Sequence, residues 1–343
     1  MLPRQFPRAV MIAVAIFVAA DLAIRIAASA GALPRPGEWP APEAEHKVEQ
    51  MASWRGNHGP GGIAIVGDST VDDGIDPTVL EGSLGRGVAA YNAALAAEPP
   101  DVLAAWTEKI VEPRLRPRTV VLGATPALVN ANIAGTIALA QAFRSSGPMR
   151  HAMGTERVGD TAQRVTGDVS ALFRYRRVLR RPTLWTAGRH NGAHGAGAVF
   201  DPPLSRNGMA LAGVDATLGT FQGRPYNVST RVAQIAGGLF HKFQVGAARV
   251  DDLRALISRM RARGISVLVV SMPISPVGLT ALPRGEADLR AATTALQQAA
   301  AAGGAAFVDG GVWDGSLFGD PIHLNGRGAA RLSAVVAAAL GRM

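Results

Sequence analysis

Short apolar runs recur along this 343-residue chain, and segments with helical periodicity separate them. The runs predicted as buried strands are Ile63–Val66, Arg118–Leu122, Ile265–Ser271 and Ala305–Asp309. The predicted helices lie around 102–111, 251–263, 289–302 and 327–340. Strands that alternate with helices form a parallel sheet that helices cover on both faces. The sequence therefore predicts an α/β fold, a three-layer α/β/α sandwich with a mostly parallel sheet, and a ligand site at the carboxyl ends of the strands.

The stretch from about 131 to 246 interrupts this alternation. It is rich in Gly, Pro and Arg. We interpret it as a long insertion or cap, partly helical, within one domain that spans 61–343. The chain is long enough for a single large α/β domain that carries such an insertion.

The first 32 residues have the pattern of an export or anchoring segment. Arg4 and Arg8 precede an apolar segment that Asp21 and Arg25 interrupt and that continues to Ala32. Positive residues before an apolar stretch are typical of a segment whose positive end stays in the cytoplasm. The four-residue spacing of Asp21 and Arg25 lets them pair on one helix face.

Three interpretations of 1–32 stay open at this point. It is a signal anchor, a signal peptide cleaved after the Ala28–Ala30 motif (Ala-Ser-Ala), or a helix of a cytosolic protein. Residues 33–60 carry proline at 34, 36, 40 and 42, which predicts a Pro-rich linker. We expect a single-pass protein of the cell membrane with its catalytic domain outside the cytoplasm, or alternatively a secreted one.

Composition and charge exclude several classes of chemistry. The chain has no cysteine, so a thiol nucleophile, a Cys-ligated zinc and disulfides are excluded. Its net charge is +9, and between Arg144 and Arg249 fifteen Arg and Lys residues stand against five Asp and Glu residues. A surface of this kind attracts anionic polymers or lipids. Because no nucleic-acid-binding motif accompanies the charge, we expect an anionic glycan or lipid rather than nucleic acid as partner.

Three residues far apart in the sequence predict a catalytic triad. Ser69 directly follows the first predicted strand, and a serine hydroxyl is a weak nucleophile until a base takes its proton. Asp320 and His323 lie three positions apart, so the carboxylate can accept from the ring while the other ring nitrogen faces Ser69. Taken alone, Ser69 fits the N-cap of a helix better than a nucleophile, and the presence of Asp320 and His323 reverses that preference.

These residues lie in motifs that resemble the SGNH (GDSL-like) hydrolase superfamily. Gly67–Ser69 (Gly-Asp-Ser) matches the family's first block, and Asp320–Gly326 matches its last block, Asp-x-x-His followed by Leu, Asn and Gly. The resemblance covers about 63–140 and 250–340. It implies a flavodoxin-like SGNH fold and an acyl-enzyme on serine, with neither cofactor nor metal expected. With its N-terminal anchor and basic insertion, the chain resembles the membrane-tethered SGNH proteins of bacterial envelopes.

The family's two middle blocks differ in this chain. The family has an Asn followed five positions later by a Gly whose N–H helps to hold the oxyanion, and here Asn92 is followed by Ala97. The family has Gly-x-Asn-Asp after a strand, and here Thr125 stands at the Asn of that block. The resemblance thus implies an oxyanion site formed by Ser69, Ala97, Thr125 and Asn92.

The altered blocks leave several alternatives. Either Thr125 or a nearby amide (Asn130 or Asn132) substitutes for the missing donor, or the enzyme is slow, or activity has been lost, because one oxyanion donor contributes about a hundredfold or more in rate. The main prediction is an SGNH-like esterase or O-acyltransferase that acts on an ester-linked acyl group of an envelope glycan or lipid. The alternative is an inactive SGNH-fold protein that binds carbohydrate or assists envelope assembly.

Other polar clusters receive less specific interpretations. Asp72, Asp73 and Asp76 are predicted to be solvated rather than to bind a metal. His190 and His194 have the spacing of zinc ligands, but the Asn-Gly-Ala between them argues against a helix there.

The segment 172–181 is predicted to form a short amphipathic helix. Its arginines either contact an anionic glycan or phospholipid headgroups, or remain solvated while the helix packs the insertion onto the core.

Overall fold

The computed structural model describes residues 6–33, 36–85, 87–95, 100–133, 137–180, 204–211, 213–221 and 224–343. The helices are α1 Phe6–Ser29, α2 Pro42–His58, α3 Ser69–Gly74, α4 Pro77–Leu84, α5 Pro100–Ala105, α6 Glu112–Leu115, α7 Ile137–Ser145, α8 Gly147–Ala152, α9 Val158–Val169, α10 Ala171–Arg174, α11 Arg176–Leu179, α12 Val228–Gly237, α13 Ala247–Ala262, α14 Pro276–Leu279, α15 Glu286–Gly303 and α16 Gly326–Leu340. The strands are β1 Ile63–Val66, β2 Ala90–Asn92, β3 Thr119–Ala124, β4 Thr220–Phe221, β5 Arg224–Pro225, β6 Ser266–Ser271 and β7 Ala306–Asp309. A π-helical segment, Trp106–Val111, joins α5 to α6, and 3₁₀ turns occupy Pro126–Val129 and Gly315–Leu317.

Five strands form the central sheet, in the order β2-β1-β3-β6-β7, and all of its pairings are parallel. This is the strand order of flavodoxin-like doubly wound sheets, in which the switch point lies between the first and third strands. The predicted α/β fold with a mostly parallel sheet is confirmed. The four strands predicted from apolar runs are present, with starts shifted by at most one residue and ends by at most two. The short β2 and the antiparallel hairpin β4–β5 are additional.

The core follows from the alternation of side chains along the strands. Ile65, Val121 and Leu268 lie in one apolar cluster, which they share with residues of α3, α4 and α16 such as Val71 and Leu332. The residues between them in the strands are buried as well, and α13 and α15 pack together and against β6. Because both strand faces are buried, the apolar runs are continuous, which is the pattern that predicted a covered parallel sheet.

The chain divides into two compact units. A helical unit comprises Met1–His46 and Ser145–Pro202, and a sheet unit comprises Lys47–Arg144 and Pro203–Met343. The stretch predicted as one insertion at 131–246 is therefore shared between the two units. The sheet unit holds all strands named above and the residues predicted to be catalytic.

The first helix of the helical unit is apolar and exposed. The span from Arg8 to Ser29 contains an 18-residue window with a mean hydropathy of 2.3. Its large apolar side chains, such as Ile12, Ile16 and Leu22, are exposed. A helix of about 20 apolar residues is long enough to cross a bilayer. The chain thus has one N-terminal helix with the length and composition of a membrane anchor or signal sequence.

Helix α2 occupies most of the stretch predicted as a Pro-rich linker, so the extended part there ends by Pro42. Its first turn contains Glu43 and Glu45, and its last turn contains Arg55 and His58. Acidic residues at the start and basic residues at the end stabilise a helix through its dipole. That charge pattern is visible in the sequence and outweighs the proline signal after position 42.

Candidate active site

Ser69 lies at a sharp turn between β1 and α3. Gly67 adopts φ +150°, and a Cβ there would lie 2.7 Å from the carbonyl oxygen of Gly123, so only glycine allows this close approach to β3. Asp68, not Ser69, is the N-cap of α3, and its Oδ1 accepts from the N–H of Thr70 at 2.9 Å. The turn places Ser69 at the carboxyl end of β1, beside the switch point of the sheet.

The structure brings the three predicted triad residues together. His323 Nε2 lies 2.8 Å from Ser69 Oγ, and His323 Nδ1 lies 2.9 Å from Asp320 Oδ1. Asp320 Oδ1 also accepts from the backbone N–H groups of Ile322 at 2.9 Å and His323 at 2.8 Å. The tight turn therefore fixes the carboxylate against the ring, as the Asp-x-x-His spacing predicts.

Asp320 and His323 each shift the pKa of the other toward its charged form. Burial by itself would raise the pKa of Asp320, yet the neighbouring His323 and Arg231 and a backbone hydrogen bond hold it well below its ordinary value of 3.8. Burial by itself would lower the pKa of His323. The Asp320 carboxylate, with a smaller contribution from Asp73, outweighs burial and raises that pKa above 6.5.

The second oxygen of Asp320 is held by a residue that the sequence analysis missed. Arg231 on α12 approaches Asp320 Oδ2 with both Nε and Nη2, each at 3.0 Å. Tyr226 donates its hydroxyl to the carbonyl of Gly319 at 3.0 Å. Both residues come from the predicted insertion. Nothing in the sequence marks Arg231, because it is one arginine among many in a basic stretch.

Asn92, predicted as an oxyanion donor, has its amide group committed elsewhere. Its Nδ2 donates to the carbonyls of Val71, Asp72 and Ile75 at 3.0, 3.3 and 3.0 Å, and its Oδ1 accepts from the N–H of Ala94 at 3.1 Å. The side chain is fully buried. Asn92 therefore ties the end of β2 to the carbonyls at the end of α3, and its two amide hydrogens are engaged there.

Thr125 is also engaged by the protein. Its hydroxyl donates to Asp68 Oδ2 at 3.0 Å, so its one hydrogen points to the N-cap of α3. The nearby amides are also bonded within the protein. Asn130 donates to the carbonyls of Leu239 and His241, and Asn132 donates to the carbonyl of Lys242. In this arrangement the hydroxyl hydrogen of Thr125 and both amide hydrogens of Asn130 are engaged away from an oxyanion.

The remaining predicted oxyanion donors are backbone N–H groups. Ala97 lies outside the residues that the structure describes. The N–H of Ser69 is at the first position of α3, and it has no hydrogen-bond partner among the described residues. It is therefore the predicted donor that the structure leaves available.

A buried ion pair supports the helix of Ser69. Lys47 of α2 and Asp72 of α3 are both fully buried, and Lys47 Nζ lies 2.5 Å from Asp72 Oδ1. Lys47 also donates to the carbonyl of Ala94, and the N–H of Ala210 donates to Asp72 Oδ1 at 3.2 Å. The prediction that Asp72 is solvated is wrong, because it is the charged partner of a lysine from the predicted linker.

The two other aspartates near Ser69 have separate surroundings. Asp76 caps α4 by accepting from the N–H of Thr78 at 2.8 Å, and Asp73 is partly buried and contributes to the field at His323. No group of three or more His, Asp or Glu side chains in the described parts of the chain is placed to hold a metal ion. His190 and His194 lie outside those parts.

The predicted helix at 172–181 is two short helices, α10 and α11. Arg174 lies 3.3 Å from Glu38, Arg177 donates to the carbonyl of Gly37, and Arg176 lies over the ring of Phe173 at 4.1 Å. Arg181 is outside the described residues. Part of the positive charge is thus used within the helical unit, and contact with an anionic partner stays a prediction.

Comparisons with known proteins give likeness in structure only. No family profile matches the sequence, and no curated protein matches it. The chain is similar to an inhibitor-bound aryl esterase of M. smegmatis at 13% identity and TM-score 0.36, over 82% of this chain and 99% of that one. It is similar to Est24, a carbohydrate acetylesterase from Sinorhizobium meliloti, at 12% identity and TM-score 0.36, with the same coverage. Likeness at this level carries no argument about activity, so function rests on the site's own geometry.

Proposed function

We propose that this protein is an SGNH-type serine esterase or O-acyltransferase that works through an acyl-enzyme on Ser69. The observation that carries the proposal is the continuous contact from Asp320 to His323 to Ser69, at 2.9 and 2.8 Å. Ser69 and His323 are 254 positions apart in the sequence, and each lies after a different strand of one sheet. A nucleophile, a base and an orienting carboxylate in this order are the arrangement of serine acyl transfer.

The geometry assigns each group a step. With Nδ1–H donating to Asp320, the neutral ring of His323 accepts the proton of Ser69 Oγ through Nε2 as Oγ attacks the acyl carbonyl. The same proton then passes to the departing alkoxide, and the ester bond to the leaving alcohol breaks. Asp320 keeps its negative charge and stabilises the imidazolium that forms between these two events.

The N–H of Ser69 is the proposed backbone donor to the oxyanion. Its position at the first residue of α3 leaves it outside the internal hydrogen bonds of that helix. Backbone N–H groups serve as oxyanion donors without any side-chain requirement. An oxyanion site built in this way is compatible with the engagement of Asn92 and Thr125 elsewhere.

Hydrolysis and transfer share the acyl-enzyme and differ only in the acceptor. Water attacking the acyl-enzyme gives an esterase, and a sugar hydroxyl gives an O-acyltransferase. We place the substrate among ester-linked acyl groups of an envelope glycan or lipid, because α1 has the character of a membrane anchor. In this proposal the sheet unit lies outside the cytoplasm, so a reporter fused after Met343 that is active only after export should be active. Reporter activity confined to the cytosol would overturn that placement.

A fluorophosphonate probe tests the acyl-enzyme directly. Full-length protein in detergent should become labelled on Ser69, as mapped by mass spectrometry of its peptides. Ser69→Ala should remove the label, and Ser83→Ala, at an exposed serine of α4, should keep it. If the wild-type protein takes no label while its fold is intact, the inactive binding protein becomes the better description.

The pH dependence of labelling gives a second measurement. His323 must be neutral to accept the proton, so labelling should slow as the pH falls through its pKa. Asp320 raises that pKa above 6.5, so the half-maximal labelling rate should lie above pH 6.5. A half-maximal rate at or below this value would contradict the role of the Asp320–His323 contact.

A further inference from the structure

Helix α9 of the helical unit carries an apolar stripe that faces away from the protein. Val158, Val165 and Val169 are 90%, 49% and 73% exposed, and Ala162 between them is exposed as well. Their spacing of four, three and four positions puts all four within about 60° of one another around the helix axis. An amphipathic helix in a soluble protein buries such a stripe, so this one needs a partner.

The packed side of α9 is the opposite one. Gly167 is buried, and a Cβ there would meet the side chain of Arg174 on α10 at 3.8 Å. Gly167 lies about 180° from the centre of the stripe at 3.6 residues per turn. Gln163, Arg164 and Asp168 are exposed on the remaining surface. A helix with a narrow apolar face and a polar remainder suits a membrane interface better than a membrane interior.

The carboxyl end of α9 is fixed to the apolar helix α1. Arg25 donates to the carbonyl of Val169 at 2.5 Å, and the hydroxyl of Ser170 donates to Asp21 Oδ1 at 2.8 Å. The N–H of Leu172 donates to the same oxygen at 2.9 Å, and Arg25 pairs with Asp21 at 2.8 Å. These polar contacts lie near one end of α1, since Arg25 is about 6 Å of helix rise from Ser29.

We propose that the stripe on α9 (Val158, Ala162, Val165 and Val169) lies in the headgroup layer of the bilayer that α1 enters. Charged residues of a spanning helix lie near the interface rather than at mid-membrane, so the Asp21–Arg25 pair sets the depth of the carboxyl end of α9. The helical unit would then hold the membrane through a spanning helix and a second helix lying flat on the surface. This inference rests on the insertion of α1 and is independent of the proposed chemistry.

The absence of cysteine allows a direct test in the full-length chain. Single variants Val165→Cys, Gln163→Cys and Ile16→Cys would carry an environment-sensitive fluorophore in proteoliposomes that contain nitroxide lipids of known depth. Shallow nitroxides should quench the label at 165 several-fold more strongly than the label at 163, and deep nitroxides should quench the label at 16. Equal, weak quenching at 165 and 163 overturns the proposal, and so does an unquenched label at 16. The label at 165 could instead report an apolar environment that nitroxides do not quench and that is lost when the protein is diluted with excess lipid. That result would assign the stripe to a contact with a second copy of the chain.

A separate observation concerns the triad. The carboxylate of Asp320 uses one oxygen for His323 and the turn, and the other for Arg231, so both oxygens are satisfied. Two further hydrogen bonds join residues of 204–246 to the loop that contains Asp320 and His323. The Tyr226 hydroxyl donates to the carbonyl of Gly319, and the N–H of Gly326 donates to the carbonyl of Val214 at 2.8 Å. Part of the predicted insertion thus braces the loop that carries the catalytic acid and base.

We infer that Arg231 is a positioning residue for the proposed reaction, acting through Asp320. Its two contacts fix the rotation of the carboxylate, and its charge offsets part of the negative field at the His323 ring. The charged groups that face this ring are Asp320, Asp73 and Arg231. Arg231 lowers the pKa of His323, while the two aspartates raise it.

The test is the pH profile of kcat/KM on a small neutral ester for Arg231→Gln, Arg231→Lys and the matched exposed control Arg224→Gln. Arg231→Gln should lower kcat about tenfold and move the ascending limb to higher pH, because the ring loses a nearby cation. Arg231→Lys should keep the limb near that of the wild type. The inference is overturned if the ascending limb of Arg231→Gln stays at the wild-type pH and its kcat is within twofold of the wild-type value. Both are measured at a temperature at which the variant is folded. If Ser69→Ala matches the wild-type rate in the same assay, the proposed function has failed instead.

Discussion

The two halves of the candidate active site differ in whether the residues predicted from the sequence contact one another. In the triad half (Ser69, Asp320 and His323), every nominated side chain contacts the next at hydrogen-bonding distance. In the oxyanion half (the N–H of Ser69 with Asn92, Ala97 and Thr125), the side chains of Asn92 and Thr125 are turned to backbone carbonyls and to Asp68.

The difference follows from what each half must supply. Removing a proton from serine requires a side chain with a suitable pKa, and a neutral histidine is the group best suited to it near neutral pH. Stabilising an oxyanion requires only an N–H or O–H at the right place, and the backbone supplies these at any sequence. A motif therefore identifies the triad half by residue type, whereas the oxyanion half is determined by the path of the chain.

The largest expected effect tests the triad half. Ser69→Ala and His323→Ala should each lower kcat on a p-nitrophenyl ester by at least about 10⁴-fold, because nucleophile and base act as one unit. Asp320→Asn should retain about 10- to 100-fold more activity, since Asp320 mainly orients the ring. Ser83→Ala is the control. A wild-type rate in Ser69→Ala, with contaminating esterase excluded, would remove the triad assignment.

The next largest effect is expected on stability, at the buried ion pair of Lys47 and Asp72 that holds the helix of Ser69. Lys47→Met leaves the Asp72 carboxylate without its cation and should lower the free energy of unfolding by about 3–5 kcal/mol. The double variant Lys47→Met/Asp72→Leu should recover much of the loss. Lys109→Met, at an exposed lysine, is the matched control for chemical unfolding of the full chain. A loss below about 1 kcal/mol in Lys47→Met would show that the pair is not a main support.

A smaller effect separates the structural role of Asn92 from an oxyanion role. Asn92→Ala leaves the carbonyl of Ile75 without its amide donor, while the carbonyl of Val71 keeps the N–H of Ile75, so the free energy of unfolding should fall by about 1–3 kcal/mol. Activity of the folded variant should change less than its stability. Unchanged stability together with a hundredfold loss of kcat would place the Asn92 amide in the oxyanion site.

The smallest effect is expected at Thr125. Thr125→Val removes the hydrogen bond to Asp68 Oδ2 and should lower kcat less than about tenfold, since the N–H of Thr70 still holds the cap. Thr125→Ser keeps the hydroxyl and serves as the matched variant. If Thr125→Val costs a hundredfold in kcat and Thr125→Ser restores it, the hydroxyl acts on the oxyanion and the two halves are more alike than their geometry indicates.

Sequence patterns predicted the sheet well because its strands are buried on both faces. Ile63–Val66 is a continuous apolar run, and Ser266–Ser271 holds another between its two terminal serines. Such runs differ clearly from the surrounding helices. β2 was not predicted, since it has only three residues and ends in the polar Asn92. The boundaries of the helical unit were not predicted either, because they depend on contacts between distant segments, such as Asp21 with Ser170.

Lys47 and Arg231, which contact residues of the site, could not be predicted from the sequence for a related reason. Lys47 lies in a stretch whose prolines predict a linker, and its partner Asp72 is 25 positions away. Arg231 is 89 positions from Asp320 and has the same local surroundings as other arginines in a basic region. Motifs record short-range spacing, and neither of these contacts has a fixed spacing to record.

In the proposed reaction, the 254-residue separation of Ser69 and His323 makes activity a measure of completed folding. Synthesis proceeds from the amino end, so the strand and turn that present the serine exist well before the base that activates it. A partly folded chain that has paired only β1, β2 and β3 carries an inert hydroxyl. After dilution from denaturant, ester turnover should therefore return later than helical and strand signals, since long-range contacts form after local ones. A chain that must cross a membrane before folding would, by the same reasoning, carry no acyl-transfer chemistry on the side where it is made.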